Sequence, residues 1–329
     1  MDPTDLTRRI NSCNEKLEVF RQEIHKIVIG QDDIIDTLIK GLLCNGHILL
    51  EGVPGVAKTL IVVAMVQTVK DASLQRIQFT PDLLPTDITG VTIYEEKKGF
   101  YTIKGPVFTN FLVADEVNRT PPKVQSALLQ AMQEREVTIG RQTLPLPKPF
   151  FVLATQNPLE TKGVYPLPEA QVDRFLFKIS IGYVPKKDEI RIIDQNVDIK
   201  GISEYEINRV LGVNEILEYQ GLVKQIYLAD EVKRYIVSLV NATRRPKDFD
   251  VKLGKYVRWG ASPRATINLS LGARATALLN GRTYTTPEDV RAVAPAILRH
   301  RIILNYEGKA TEVKTDDVIK EIISKVPVR

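Results

Sequence analysis

Short apolar runs alternate with helical patterns between about residues 46 and 182 of the chain. Runs such as FLVA and FFVLA are apolar at every position, which is typical of strands that are buried on both faces of a sheet. Strands that alternate with helices indicate an α/β fold in which helices cover a parallel sheet. The predicted strands are His47–Leu50, Leu74–Phe79, Asn110–Ala114, Phe150–Thr155 and Phe175–Ile181.

Two segments interrupt this alternation, and both predict β-hairpins. The first covers residues 91–108 and turns at residues 96–99, and the second covers residues 136–149 and turns near Gly140. A helix is predicted to open the chain over residues 5–29, because the apolar residues of that segment recur at roughly helical spacing.

After Pro185 the pattern changes, because helical periodicity dominates and few strand signals remain. We therefore predict two domains: an N-terminal helix with an α/β domain over residues 1–184, and a helical domain over residues 185–329. The clearest helical segments of the second domain are Val232–Val240, Pro263–Leu279 and Pro287–Leu298.

The composition is that of a globular protein, with 43% hydrophobic and 26% charged residues in a chain of 329. The first residues are polar and charged, so they lack the apolar stretch of a secretory signal. The longest apolar run, Leu60 to Val66, is far shorter than the roughly 18 residues that suggest a membrane span. We therefore expect a cytoplasmic protein without a membrane span.

Charge and cysteine content restrict the function classes only weakly. The formal net charge is +5, but the basic residues are interleaved with acidic ones, which is weak evidence for a nucleic-acid partner. Cys13 and Cys44 do not form a C-x-x-C pair, and with the three histidines they do not have the spacing of a zinc site. Reduced thiols are therefore expected.

A glycine-rich segment follows the first predicted strand directly and precedes a helical pattern. This strand, loop and helix context is the one that a phosphate-binding P-loop requires, because glycines let backbone amides and the helix N-terminus face the phosphates. Lys58 would reach the β and γ phosphates of ATP, and the Thr59 hydroxyl would bind Mg²⁺. The segment consists of Gly52, Val53, Pro54, Gly55, Val56, Ala57, Lys58 and Thr59.

The P-loop pattern departs from its usual form at Ala57, where glycine is the usual residue. The alanine precedes Lys58 at the entrance of the helix, where a helical φ suffices. The alternative interpretation is a Gly/Pro turn that precedes a lysine by chance.

Two carboxylates, Asp115 and Glu116, end the apolar strand that contains FLVA. Buried carboxylates are costly unless a cation or polar group compensates them, and a bound Mg²⁺ would do so. Asp115 would orient the metal directly or through its water, and Glu116 would act on the attacking water as general base. The alternative is a strand end that reaches solvent with two ordinary surface acids.

Asn157 follows the next predicted strand along the chain. If that strand lies beside the Asp115 strand, the Asn157 amide could hydrogen-bond the attacking water or the γ phosphate. Asn157 also precedes Pro158, and an asparagine before proline is common turn chemistry, so the residue pattern leaves both interpretations open.

Taken in order, six segments of the chain resemble MoxR-family AAA+ ATPases. The resemblance covers about residues 28 to 300 and is most specific in the α/β part. It implies a P-loop NTPase core whose parallel sheet has the strand order 5-1-4-3-2, followed by a C-terminal all-α lid. The segments are GHILLEGVPGVAKT, RIQFTPDLLPTDITG, ADEVNRTPPKVQSALLQAMQE, FFVLATQNPLE, YPLPEAQVDRF and GASPRA.

The resemblance also implies roles for individual residues. The two hairpins match insertions of the clade that contains magnesium chelatases and minichromosome maintenance helicases. The matches are Gly52 to Thr59 with Walker A, Asp115 and Glu116 with Walker B, Asn157 with sensor 1, Arg174 with the arginine finger, Arg264 with sensor 2, and Val28, Ile29, Gly30 and Gln31 with the segment that packs against adenine.

The function implied by the resemblance is ATP hydrolysis between neighbouring subunits of a homo-oligomeric ring, a hexamer. Hydrolysis would drive chaperone-like remodelling or maturation of partner proteins, with metal or cofactor insertion as one form of it. The implied partners are client or adaptor proteins, including proteins with a von Willebrand factor A domain. One alternative is a nucleic-acid-dependent AAA+ motor, which the hairpins and the basic pI suggest. Another is a nucleotide switch with negligible turnover, against which Glu116, Asn157 and Arg174 argue together.

Overall fold

The computed structural model describes residues 3–53, 55, 58–97, 99–158, 163–195 and 205–328. Its strands, numbered along the chain, are β1 (Ile48–Gly52), β2 (Val69–Lys70), β3 (Leu74–Gln78), β4 (Gly90–Glu95), β5 (Gly99–Lys104), β6 (Phe111–Asp115), β7 (Glu136–Ile139), β8 (Gln142–Pro145), β9 (Phe151–Gln156), β10 (Phe177–Ile181), β11 (Leu211–Gly212), β12 (Val257–Trp259) and β13 (Ile303–Leu304). Its helices are α1 (Pro3–His25), α2 (Asp32–Leu43), α3 (Lys58–Gln67), α4 (Pro85–Thr89), α5 (Pro122–Glu134), α6 (Glu169–Val172), α7 (Lys186–Gln195), α8 (Val213–Gln225), α9 (Asp230–Arg244), α10 (Pro263–Leu279), α11 (Pro287–Leu298), α12 (Tyr306–Ala310) and α13 (Thr315–Lys325).

Five strands form one parallel sheet in the order β10, β1, β9, β6 and β3. Counted along the chain, this order is 5-1-4-3-2, so the predicted α/β fold and its strand order are confirmed. β6 and β9 lie side by side in the interior of the sheet, with Val113 opposite Leu153. All residues of β6 and all but the last of β9 are buried, which explains why both strands are almost continuously apolar.

Both predicted hairpins are present. β4 pairs antiparallel with β5, and β7 pairs antiparallel with β8. Lys98, in the predicted turn of the first hairpin, lies outside the described residues. The hairpins contact each other, because a Cβ on Gly140 would lie 2.8 Å from the Thr92 hydroxyl oxygen, and Gly140 also has a φ of +60°. A side chain at Gly140 would therefore be both crowded and strained.

The chain divides into two compact units. One consists of residues Glu18–Phe175 and Ile179–Leu217, and the other of Met1–Leu17, Leu176–Lys178 and Glu218–Arg329. A domain boundary after residue 184 stays a prediction.

The unit that contains both hairpins has its core between the sheet and α5. Apolar side chains of the strands pack with the buried face of this helix and with Ile88 of α4. These residues include Leu49, Ile77, Leu112 and Val152 from the strands, and Val124, Leu128 and Met132 from α5.

The other unit is predominantly helical in its described part, as predicted. α10 and α11 begin and end at the predicted residues. They pack closely at Gly272, where an added Cβ would lie 3.1 Å from Ile297 Cδ1 and 3.2 Å from Val293 Cγ2. Among the described residues, no helix is both long and apolar enough to cross a membrane.

Candidate active site

A cleft of about 370 Å³ lies where the carboxyl ends of the central strands meet the start of α3. This edge of a parallel sheet is where open α/β folds bind their ligands. The cleft brings together residues from four chain segments that are remote in sequence. Its lining residues are Gly55, Lys58, Thr59, Leu60, Arg76, Gln78, Asp115, Glu116, Thr155 and Asn157.

The predicted phosphate loop leads from β1 into α3. Lys58 is the first residue of α3, and its ammonium group donates a hydrogen bond to the carbonyl of Gly52 at the end of β1. The first amides of a helix have no partner within the helix, so this end of α3 suits an anion. Gly55 has a φ of +85°, which favours glycine. Val53 is described, whereas Pro54, Val56 and Ala57 lie outside the described residues.

Asp115 ends β6 and is buried, and three side chains surround its carboxylate. Arg76 Nε donates to Asp115 Oδ2 at 2.6 Å, and Thr155 Oγ1 donates to Oδ1 at 3.1 Å. Thr59 Oγ1 lies 3.5 Å from both carboxylate oxygens. A hydroxyl and a carboxylate are the oxygen ligands that Mg²⁺ prefers, so the residues predicted to bind the metal lie side by side and fit such an ion.

Glu116 follows β6 directly and has a left-handed backbone with a φ of 56°. Its amide donates to Thr155 Oγ1 at 2.9 Å, which ties the end of β6 to β9. Its carboxylate oxygen Oε2 accepts a hydrogen bond from Gln78 Nε2 at 2.8 Å. The same oxygen forms an ion pair with Arg119 Nε at 3.2 Å. An L residue in this conformation is uncommon and often marks a functional position.

Asn157 is buried and lines the same cleft. Its carbonyl accepts a hydrogen bond from Asn118 Nδ2 at 3.4 Å, and Asn118 belongs to the short 3₁₀ turn after Glu116. The predicted base and the predicted amide therefore project from neighbouring strand ends.

A second hollow, of about 410 Å³, adjoins the first, because Gly55 lines both. Val28 and Ile29 are buried, and Gly30 and Gln31 both have left-handed backbones. The hollow is mainly lined by apolar side chains, as is usual for sites that hold a flat organic ring. Its lining residues are Gln31, Gly55, Gly182, Tyr183, Val184, Glu189, Ile192 and Ile193.

Comparison with known proteins identifies the family. A family model described as "ATPase family associated with various cellular activities (AAA)" matches residues 47–177, and one described as "AAA lid domain" matches residues 254–322. The chain is 47% identical to Chaperone MoxR1 of Mycobacterium tuberculosis, over 92% of this chain and 80% of the relative. The chain belongs to the MoxR family of AAA+ ATPases. It is therefore an ATP-hydrolysing enzyme.

Two further comparisons agree with this assignment to the MoxR family. Protein MoxR of Methylorubrum extorquens is 31% identical, over 94% of each chain. A solved structure from Cytophaga hutchinsonii, described as a candidate ATPase, superimposes with a TM-score of 0.90 at 46% identity, covering 98% of this chain and 97% of that one.

The two arginines that the MoxR resemblance singles out do not line the cleft of their own chain in the part that the structure describes. Arg174 follows α6 and donates from Nη1 to the carbonyl of Leu129 at 3.0 Å. Arg264 is the second residue of α10 in the other compact unit, and its amide donates to Ser262 Oγ at 3.2 Å. The roles of both arginines stay predictions.

Four residues that hold the two carboxylates were not predicted for this MoxR-family site. They lie on a neighbouring strand or in the following turn, so their contacts depend on strand register. The only sequence signal was the pair of long polar residues at alternate positions of β3, which places both on one face. The residues are Arg76, Gln78, Arg119 and Thr155.

Proposed function

We propose that this chain is a chaperone-like ATPase that couples Mg-ATP hydrolysis at subunit interfaces to the remodelling or maturation of partner proteins. The observation that carries the proposal is the convergence of Lys58, Thr59, Asp115, Glu116 and Asn157 on one cleft. This set combines an anion-binding helix start, oxygen ligands for a metal and a carboxylate beside a polar amide. Phosphoryl transfer requires these groups at one place.

Each of these residues has a distinct part in the proposed reaction. Lys58 contacts the β and γ phosphates, and the amides at the start of α3 bind phosphate oxygens. Thr59 and Asp115 hold Mg²⁺, which when bound neutralises charge on the phosphates. Glu116 takes the proton of the attacking water, and Asn157 orients that water or the γ phosphate.

The hollow that adjoins the cleft is suited to the adenine of ATP. Its apolar lining and its position next to Gly55 support this, because the base of a bound nucleotide lies beyond the phosphate loop. Val28, Ile29, Gly30 and Gln31 form one edge of the base site in this proposal.

The remaining parts of the proposal rest on the family resemblance. Arg174 acts as an arginine finger in the active site of the neighbouring subunit, and Arg264 senses the nucleotide from the lid. The oligomer is a ring of identical subunits, a hexamer, and its clients or adaptors include proteins with a von Willebrand factor A domain. Metal or cofactor insertion is one form that the maturation could take, and a cytoplasmic location stays a prediction. None of the relatives named above favours a nucleic-acid-dependent motor.

Paired substitutions in the cleft test the proposed roles. Lys58→Ala should weaken ATP binding because it removes a phosphate contact, whereas Glu116→Gln should bind ATP and fail to hydrolyse it because it removes only the base. Fluorescent nucleotide titration and phosphate release measure the two effects separately. Lys123→Ala and Glu134→Gln, which change exposed residues of α5, are the matched controls. Equal loss of ATP binding in both cleft variants would contradict the assigned roles.

The same Glu116→Gln variant tests the proposed client class. An enzyme that binds ATP without turnover should retain its client, so proteins captured with this variant in ATP, and absent with Lys58→Ala, identify what the ATPase acts on. Capture of nucleic acid in place of protein would favour the alternative motor.

A further inference from the structure

Arg76 is a cation in the ATPase cleft to which neither the family motifs nor the proposed reaction gives a role. It lies on β3, opposite Val113 of the neighbouring strand β6. Two residues further along β3, Gln78 lies opposite Asp115. Its side chain is 55% exposed, yet its Nε reaches the Asp115 carboxylate, whose side chain is only 5% exposed. The guanidinium therefore extends from the mouth of the cleft to the buried carboxylate at its base.

The contact between Arg76 and Asp115 is a charge-assisted hydrogen bond of 2.6 Å. A buried carboxylate needs such compensation, since burial disfavours its charge. The other hydrogen-bond partners of the Asp115 carboxylate among the described residues are neutral hydroxyls, those of Thr155 at 3.1 Å and of Thr59 at 3.5 Å. Arg76 thus supplies positive charge at the carboxylate that the proposed function assigns to Mg²⁺.

We propose that Arg76 is a positioning residue that competes with the metal ion for Asp115. A guanidinium and a divalent cation cannot both lie against the Oδ2 atom of Asp115, because their positive charges repel each other strongly in a partly buried site. Mg²⁺ without a nucleotide must therefore displace Arg76 from Asp115 and leave the guanidinium without a new anionic partner. Mg²⁺ that arrives with ATP brings phosphate oxygens, which offer the displaced guanidinium a new anionic partner in the same cleft. Arg76 in this way makes the site admit the metal together with the nucleotide.

This inference rests on the proposed role of Asp115 and can fail independently of it. The test measures Mn²⁺ binding by electron paramagnetic resonance, without nucleotide, on the full chain and on Arg76→Met, which keeps the length of the stem and removes the charge. Arg76→Met should bind Mn²⁺ roughly tenfold or more tightly than the unchanged chain, because a repulsive charge at the metal position is gone. In EDTA the melting temperature of Arg76→Met should be lower than that of the unchanged chain. Adding Mg²⁺ should raise the melting temperature of Arg76→Met and should change that of the unchanged chain little.

Further variants make the outcome decisive. Arg141 is an exposed arginine in the turn of the second hairpin, and Arg141→Met should behave like the unchanged chain. Arg76→Met combined with Asp115→Asn should lose the gain in Mn²⁺ binding, because the carboxylate is gone. Arg76→Lys keeps the charge and should bind Mn²⁺ as weakly as the unchanged chain. Arg76→Gln also removes the charge, so it replaces Arg76→Met if that variant does not fold, and it should show the same gain in Mn²⁺ binding.

Equal Mn²⁺ affinity of the unchanged chain and Arg76→Met would overturn the inference while leaving the proposed ATPase site intact. Failure of the unchanged chain to bind Mg-ATP would instead overturn the proposed function, and the inference with it.

Discussion

His47 shows how a single buried residue links distant strands. Its Nε2 contacts the carbonyl of Met132 at 3.0 Å, and its Nδ1 accepts the amide proton of Val152 at 3.0 Å. Burial, with a smaller contribution from the charge of Arg135, lowers the pKa of His47 from 6.5 to about 3. The ring is neutral in the folded protein, since a protonated Nδ1 could not accept the Val152 bond.

The depressed pKa of His47 predicts a pH dependence of stability. Between about pH 6.5 and 3 the unfolded chain binds a proton that the folded chain does not, so the contribution of His47 is present above pH 6.5 and is lost as the pH falls. At pH 5 the free energy of unfolding should be lower by roughly 2 kcal/mol than at pH 7, because each pKa unit between pH 5 and 6.5 corresponds to about 1.4 kcal/mol. Urea unfolding at pH 7 and pH 5 measures it.

Two results check this prediction. His47→Gln should lose less stability between the two pH values than the unchanged chain. In nuclear magnetic resonance spectra of the folded chain, the His47 ring signals should not titrate between pH 7 and pH 5. Titration near pH 6.5 would show that the depressed pKa is wrong.

At the residue scale, the sequence predicts what is local and misses what depends on register. Lys58 and Thr59 could be predicted because a strand, a glycine-rich loop and a helix follow each other directly. Gln78 reaches Glu116 across 38 positions, because β3 pairs with β6 at one particular register. No pattern within either segment specifies that register.

The first hairpin is the element that raises the question of nucleic acid. Tyr94 and Phe100 lie opposite each other across its strands, with ring centroids 5.0 Å apart, and both are exposed. The adjoining turn contains the acidic residue Glu96 beside Lys97. A surface that grips single strands combines stacked aromatic residues with an extended basic groove, and the described residues of this hairpin show the aromatic pair without such a groove.

We therefore predict little stimulation of the ATPase by DNA or RNA. Phosphate release should change by less than about twofold on adding single-stranded DNA at ~0.15 M salt, where non-specific attraction is largely screened. A Tyr94→Ala, Phe100→Ala double variant is the control, since any stimulation that depends on stacking should disappear in it. A several-fold rise with the unchanged chain would falsify the prediction, and loss of that rise in the double variant would assign the stimulation to the aromatic pair.

The packing of α10 on α11 depends on the small size of Gly272. Gly272→Val should lower the stability of the helical unit by about 1–3 kcal/mol, because the new side chain collides with Ile297 and Val293. Gly221→Ala in α8 is the matched control: an added Cβ meets nothing within 4 Å there, and alanine favours a helix by roughly 0.5–1 kcal/mol. Thermal unfolding compares the two, and equal melting temperatures would contradict close packing at Gly272.

At the element scale, the sequence predicts helices best where their ends carry local signals. α10 and α11 both begin at a proline after a Ser or Thr N-cap, and both match the predicted bounds. The opening helix ends at His25, four residues before the predicted end. Apolar residues continue beyond His25, but Gly30 and Gln31 adopt left-handed backbones that a helix cannot include.

At the scale of the whole molecule, the proposed reaction requires two chains. The described cleft contains a candidate base and candidate metal ligands, whereas Arg174 is half-buried elsewhere and donates to Leu129. Arg174 Nε is buried without a hydrogen-bond partner among the described residues. The sequence suggests the role of Arg174 only through the family resemblance, because an interface with a second chain leaves no periodic pattern in the first.

Complementation between two inactive variants tests the shared site most directly. Arg174→Ala should lower turnover by roughly 10³–10⁵, the usual worth of an arginine finger, with a much smaller effect on ATP affinity. Glu116→Gln should be inactive for want of a base. When the two variants are mixed, some interfaces join an intact base from one chain to an intact Arg174 from the other, so phosphate release should recover.

The control mixture combines Glu116→Gln with a chain that carries both substitutions, and it should stay inactive because no interface has an intact base. Co-purification of an untagged variant with its affinity-tagged partner in ATP establishes that mixed oligomers form in both cases. Recovery of activity in the first mixture alone is the result that the shared-site account predicts. If mixed oligomers form and no activity returns, or if Arg174→Ala hydrolyses ATP normally as a monomer, the active site is not shared between subunits and Arg174 has only a structural role.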